Sequence, residues 1–172
     1  PSILGPAVAG GQVPVRGQQF QITPPPPPPA DPGLGPVDVY LLPPDSGAGR
    51  RVVYSKSQQV VWAIDESESI IKMHRVSGKQ TPFDPAPGVY QVWSRSRFTN
   101  SMVNPSITWG YMVRFAKGAR GGNIGLHEIP YQYGRPVQSI EQLGQPLSGG
   151  CVRQAVPDAI WMWEWAQLGT VV

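Results

Sequence analysis

Cysteine is nearly absent from this chain of 172 residues: Cys151 is the only one. An intramolecular disulfide is therefore excluded, and the thiol is either a small core residue or a reactive group. Histidine is almost as scarce, with only His74 and His127. His74 has no neighbour in sequence that would supply catalytic or metal-ligand partners, so it reads as a structural histidine, solvent-facing or hydrogen-bonded. No apolar run is long enough to span a bilayer, and no apolar signal-peptide core stands at the N-terminus. No basic run is interleaved with aromatics, so nothing suggests nucleic-acid binding. Charge is sparse as well, and the net value of +3 fits an ordinary basic surface as well as proximity to an anionic wall.

Proline is abundant, and its distribution divides the chain. Residues 1–36 are dominated by proline, glycine and glutamine, with an unbroken proline run from Pro24 to Pro29. Such a segment lacks backbone donors and favours polyproline II, which makes it a semi-rigid spacer; a disordered tail or a ligand for a proline-binding domain has the same composition. The boundary is expected near Pro36 or Val37, leaving residues 37–172 as one globular domain. Because the chain begins at Pro1, a processed protein is expected, with any export signal already removed.

The domain reads as mainly β. Val37–Leu42 is a short apolar strand candidate closed by turn residues, and Arg51–Tyr54, Gln58–Ile64 and Ser69–Val76 follow as three β-rich segments at hairpin spacing, which predicts an antiparallel meander. A further strand is expected over Val89–Trp93, followed by a polar loop over Arg95–Ser106. Trp109, Tyr111, Val113 and Phe115 alternate as one face of a half-buried strand, with Met112 and Arg114 on the other. Asn123–His127 should follow, with Ile124 and Leu126 on one side and Asn123, Gly125 and His127 lining a cleft that leaves space over Gly125. A short helix is expected over Ser139–Leu143, in a segment that suits either a lid or a plain crossover. Pro157 and Asp158 open a helix running to about Gln167, Gly169 stops it, and Thr170–Val172 closes the chain as a strand.

The chemistry concentrates at Ser148-Gly149-Gly150-Cys151-Val152-Arg153. Two glycines before a cysteine free the backbone to turn successive N–H groups into a donor site, as an oxyanion needs. The amides of Gly150 and Cys151 are the candidate donors. An attacking thiol also needs a base, and His127 is the candidate. In an extended segment Arg153 falls on the same side as Cys151, placed to stabilise a thiolate or hold a substrate carboxylate.

These residues resemble the L,D-transpeptidases of peptidoglycan synthesis, the YkuD-type catalytic domain, with an actinobacterial member expected. In that family a histidine ending a strand precedes a Ser-x-Gly-Cys-hydrophobic-Arg/Asn segment, here His127 and Ser148, Gly150, Cys151, Val152 and Arg153. The likeness runs from about residue 37 to residue 172, through Ser57-Gln58-Gln59, Thr81-Pro82, Gly88-Val89-Tyr90 and Asp158-Ala159. Two departures stand out. Gly149 occupies a position where many members carry a second histidine, and the interval from His127 to Ser148 is longer than usual.

The resemblance implies a YkuD-like β-sandwich with Cys151 as nucleophile, His127 as general base and acid, and the Glu128 main-chain carbonyl orienting the imidazole. Ser148, Gly149, Arg153 and Tyr111 are the expected substrate contacts. It implies peptidoglycan stem peptides as substrate, 3→3 cross-links as product, carbapenem-type β-lactams as covalent inhibitors and no metal or organic cofactor. A monomer in the periplasm or cell wall is expected, and a lone thiol suits such an oxidising compartment. Hydrolysis of the same stems and a non-catalytic wall-binding relative are the alternatives. A sortase would need a different cysteine–arginine spacing, and a papain-like or NlpC-type peptidase would place its cysteine before its histidine.

Overall fold

Runs of β-branched and aromatic residues between polar turns build the first sheet. The computed structural model describes residues 39–81 and 83–172; the spacer expected over residues 1–36 lies outside them. Arg51–Ser55 (β1), Val60–Ile64 (β2) and Ile70–Arg75 (β3) form the antiparallel meander, with β2 in the middle. Val61 and Ala63 of β2 face the main core, whereas Val60, Trp62 and Ile64 join Val53 in a second cluster on the opposite face. Tyr40 and Leu42 pack against that cluster. The strand expected over Val37–Leu42 is, in its described part, an irregular cover. Gln58 holds it: its side-chain amide donates to Leu41 O (2.8 Å) and accepts the Leu41 N–H (3.0 Å), the pair of bonds a neighbouring strand would make.

The second sheet comprises Ser94–Asn100 (β4), Ile107–Lys117 (β5), Asn123–Glu128 (β6), Tyr131–Gln132 (β7), Arg135–Pro136 (β8) and Val152–Gln154 (β9). Its order is β8-β7-β5-β6-β9, with β4 also paired to β5. β9 runs parallel to β6, setting Val152 opposite Leu126 and Arg153 opposite His127. On its other edge Arg153 exchanges both backbone bonds with Ser77 at 2.9 Å. Beside it the buried His74 and Gln154 meet at 2.8 Å, so His74 is the hydrogen-bonded structural residue expected. The strand that follows the cysteine is thus clamped between the two sheets.

Val52, Val61 and Ala63 from one sheet and Val113, Phe115, Leu126 and Val152 from the other share the core with Met162 and Ala166. Met162 belongs to the helix Val156–Trp165 (α1), which starts with Pro157 in its first turn and ties Asp158 to Lys72 at 2.6 Å. Trp163 and Trp165 of this helix lie under the guanidiniums of Arg95 and Arg50, each 4.0 Å from a ring centroid. The last residues close the sandwich: Val52 N–H donates to Val171 O, and Tyr90 and Val172 exchange both bonds, all at 2.9 Å. The architecture is the mainly-β sandwich with one C-terminal helix that the sequence implies.

Four further local expectations differ. The strand expected over Val89–Trp93 reduces to this pairing with the C-terminus, an isolated bridge at Gln91. Arg95–Ser106 reads as loop, yet Ser94–Asn100 is β4, paired from Ser94–Arg114 to Asn100–Thr108. Its residues are half-buried or exposed throughout, and a strand with no buried face has no hydrophobic period to read. The short helix over Ser139–Leu143 is instead a pair of turns, closed by Leu143 N–H to Ile140 O (3.0 Å) and Gln145 N–H to Gln142 O (3.2 Å). A helix so short cannot offset its nucleation cost, and Gly144 N–H goes to Val76 O instead (2.8 Å). The fourth difference, in β5, shapes the functional site.

Candidate active site

Tyr111 adopts φ +57° in the middle of β5, a conformation uncommon for a bulky aromatic. It breaks the alternation read through Trp109, Tyr111, Val113 and Phe115. Val113 and Phe115 enter the core, whereas Trp109, Met112 and Arg114 line a cavity of about 550 Å³. Tyr111 itself leaves the cavity. Its hydroxyl accepts a bond from Arg97 (2.7 Å) and its ring meets Trp163 edge-on, so this expected substrate contact is not among the lining residues.

β6 carries His127 into the same cavity. His127 is only 2 % exposed, and Trp109 stacks on the imidazole with ring centroids 4.8 Å apart and planes 25° from parallel. Nδ1 lies 2.5 Å from the Glu128 main-chain oxygen. A carbonyl can only accept, so Nδ1 carries the hydrogen and Nε2 keeps its lone pair. Burial pushes the imidazole pKa down to about 3, and the positive charges of Arg153 and Arg114 act in the same direction against the Glu128 carbonyl. The ring is therefore neutral at neutral pH, a base with its lone pair on Nε2.

Cys151 precedes β9 and lines the same cavity, as do Ser148, Gly149, Gly150 and Arg153. Burial raises its thiol pKa, although the Gly125 backbone and the two arginines favour the thiolate. Sγ lies 3.5 Å from Asn123 O, which it reaches as a weak donor. With the imidazole lowered and the thiol raised, the resting pair is neutral rather than ionic.

The Ser148 hydroxyl organises the turn before the nucleophile. It donates to Cys151 O and accepts the Gly150 N–H at 3.1 Å. Of the two amides expected to bind an oxyanion, Gly150 is thus already engaged and Cys151 is the one the Ser148 hydroxyl leaves alone. Gly150 has φ +154°, a region suited to glycine. Gly149 is different: a Cβ built there meets no described residue within 4 Å. The space expected over Gly125 is filled, since a Cβ there would lie 2.3 Å from Val113 O and 2.9 Å from Met112 Cε.

Three contributors went unread in the sequence: Trp109 as the cover of His127, Arg114 as a cavity charge, and the Lys79–Asp84 pair (2.7 Å) on the cavity wall. A charged residue within an apolar strand was the available signal for Arg114. Among the described residues no three His, Cys, Asp or Glu cluster as a metal site would.

The β-sandwich thus brings one thiol and one oriented imidazole to a common cleft through a parallel strand pair. The YkuD family model, described as the L,D-transpeptidase catalytic domain, matches residues 49–172, and the chain belongs to this family. Among solved structures, it is similar to an L,D-transpeptidase (Yku) from Stackebrandtia nassauensis, with 19 % identity over 72 % of this chain and 54 % of that one and a TM-score of 0.54. The L,D-transpeptidase LdtMt1 in complex with imipenem gives 20 % identity over 73 % and 58 % and a TM-score of 0.53. L,D-transpeptidase 3 from Mycobacterium tuberculosis, in complex with a faropenem-derived adduct, gives 20 % over 73 % and 60 % and 0.51. At these identities the likeness is one of fold, and the chain spans little more than half the length of these structures. No curated protein matches the chain.

Proposed function

We propose that this protein is a peptidoglycan L,D-transpeptidase working through a thioester on Cys151. The observation that carries the reading is the His127 Nδ1–H bond to Glu128 O, which turns the basic Nε2 loose in the cleft that also holds the chain's one thiol. Family membership and the β-lactam complexes of similar structures support it.

In this mechanism Cys151 Sγ attacks the carbonyl between a diaminopimelate-type residue and the terminal D-alanine of a stem. Its proton passes to His127 Nε2 as the S–C bond forms, because neither partner is ionised beforehand. The Cys151 amide faces the developing oxyanion. His127 then delivers the proton to the leaving D-alanine amine as the C–N bond breaks. A side-chain amine of a second stem attacks the thioester, gives its proton to His127 and releases the thiol, closing a 3→3 cross-link. Water in place of that amine gives hydrolysis. No cofactor takes part. The substrate places the enzyme outside the cytoplasm, with residues 37–172 as the catalytic domain and the proline-rich segment as a spacer. Among the described residues no helix is long and apolar enough to cross a membrane.

Intact-mass spectrometry after incubation with imipenem, on wild type and Cys151→Ala, is the first test. An adduct on wild type alone is expected, followed by joining of stem tetrapeptides. Absence of an adduct together with no stem turnover would instead favour a non-catalytic wall-binding relative, and release of D-alanine without joining would favour the hydrolase.

A further inference from the structure

The cleft around Cys151 carries more positive charge than its own residues neutralise. Among the described residues, Lys79, Arg114, Arg120 and Arg153 line it against one carboxylate, Asp84. That carboxylate is already held by Lys79 Nζ at 2.7 Å and by the Ala119 N–H at 2.8 Å. Arg114 and Arg153 are the cations nearest the chemistry. Arg114 sits on β5 opposite Gly125, and Arg153 sits on β9 opposite His127, so the strand bearing the base runs between them.

Both guanidiniums are held by neutral groups. Arg114 Nη1 donates to Ser96 Oγ at 2.8 Å and, at 3.4 Å, to Ser94 Oγ; Arg153 Nη1 donates to Gln138 Oε1 at 3.1 Å. Among the described residues neither makes an ion pair. A partly desolvated guanidinium without a counter-charge is unfavourable, and each has five N–H donors of which these bonds use few. Hydroxyls and an amide fix the direction of a guanidinium without cancelling its charge, which leaves both ready for an incoming anion. The backbones of β5 and β9 are two strand spacings apart, about 10 Å. That separation suits two anionic groups of one extended ligand.

We propose that Arg114 and Arg153 form a paired carboxylate-reading site across the Cys151–His127 centre, which selects donor stems with two ionised carboxylates around the scissile bond. Arg153 takes the carboxylate of the leaving D-alanine, and Arg114 takes a carboxylate on the side chain of the diamino acid before it. This inference rests on the transpeptidase reading and narrows its substrate class to acidic stems. A carboxamide at the second position keeps the shape but has no charge to offer Arg114.

The test compares two tetrapeptide donors that differ only in that group, free carboxylate or carboxamide, on wild type, R114Q and R114K. Wild type should favour the acidic donor by about tenfold to a hundredfold in kcat/KM, the range a charge-assisted hydrogen bond supports, chiefly through KM. R114Q should bring the ratio close to one, and R114K should restore part of it. The ratio cancels any effect of the substitution on the thiol, which both donors share. Ser96→Ala leaves Arg114 in place but frees its guanidinium, and should lower the preference by a smaller factor even if R114Q fails to fold. Equal use of both donors by wild type, or a preference that survives in R114Q, overturns the carboxylate site alone. Turnover of neither donor by an enzyme that imipenem does acylate overturns the stem reading along with it.

Discussion

The Trp109 indole lies flat over the His127 imidazole, 4.8 Å between centroids. The contact joins β5 to the end of β6 and keeps water from one face of the base. Beside it, Glu128 closes the arrangement with its side chain as well as its main chain, since Oε1 accepts the Gly110 N–H at 2.6 Å. The Glu128 carbonyl fixes which ring nitrogen carries the proton, and the burial to which the indole contributes explains why the imidazole resists charging.

Trp109→Ala should therefore raise the His127 pKa from about 3 toward the ordinary histidine value near 6.5. Imidazole NMR titration measures the shift directly. Acylation by imipenem should slow by about tenfold or more as the ring loses its fixed orientation. An unchanged titration would show that something other than the indole buries the ring.

Acid stability should depend on the same residue. The unfolded chain protonates His127 near pH 6.5, whereas the folded protein does so only near 3. Between those values the unfolded state binds more protons, so stability falls as pH is lowered through this window. Chemical denaturation of wild type and His127→Asn from pH 7 to pH 3 should show a shallower decline in the variant. Parallel curves would contradict the depressed pKa.

Thiol reactivity gives an independent check. Burial raises the Cys151 pKa while Arg153 opposes it, so the alkylation rate should rise with pH beyond the ordinary thiol value of roughly 8.5. Arg153→Gln should move the profile higher still, because a stabilising cation is lost. His127→Ala should slow acylation by imipenem about a hundredfold or more, as loss of a general base does. A thiolate already formed at pH 6 would establish a resting ion pair and overturn the neutral starting state.

Two glycines of the site should respond in opposite ways. Gly125→Ala forces a Cβ to 2.3 Å from Val113 O and should destabilise the protein by about 1–3 kcal/mol as β5 and β6 are pushed apart. Gly149→His adds a side chain where a Cβ meets no described residue within 4 Å, and its melting temperature should stay close to wild type. Thermal denaturation of both variants distinguishes packing constraint from open cleft.

Scarcity made the nucleophile and base legible in advance. With one cysteine and two histidines, and with Ser148-Gly149-Gly150 leading into Cys151, few assignments were available. The meander, the helix begun by Pro157 and the closing segment at Val171 were readable too, because turn chemistry and burial patterns act over a few residues. Trp109 was not readable as a cavity residue, because its side depends on the positive φ of Tyr111, which strict alternation does not anticipate. Nor was β4, whose polar residues are held by pairing with β5 rather than by a buried face.

Local sequence thus determined which groups carry the chemistry and where the chain turns, since those depend on residue type and on neighbours a few positions away. Tertiary structure alone decided that Gly150 spends its N–H on Ser148, that the Val113 carbonyl and Met112 fill the space over Gly125, and that Arg114 and Arg153 line the cleft with no ion pair among the described residues. Those outcomes depend on strand register and on side chains brought together from distant parts of the chain. No periodicity within a single segment encodes them.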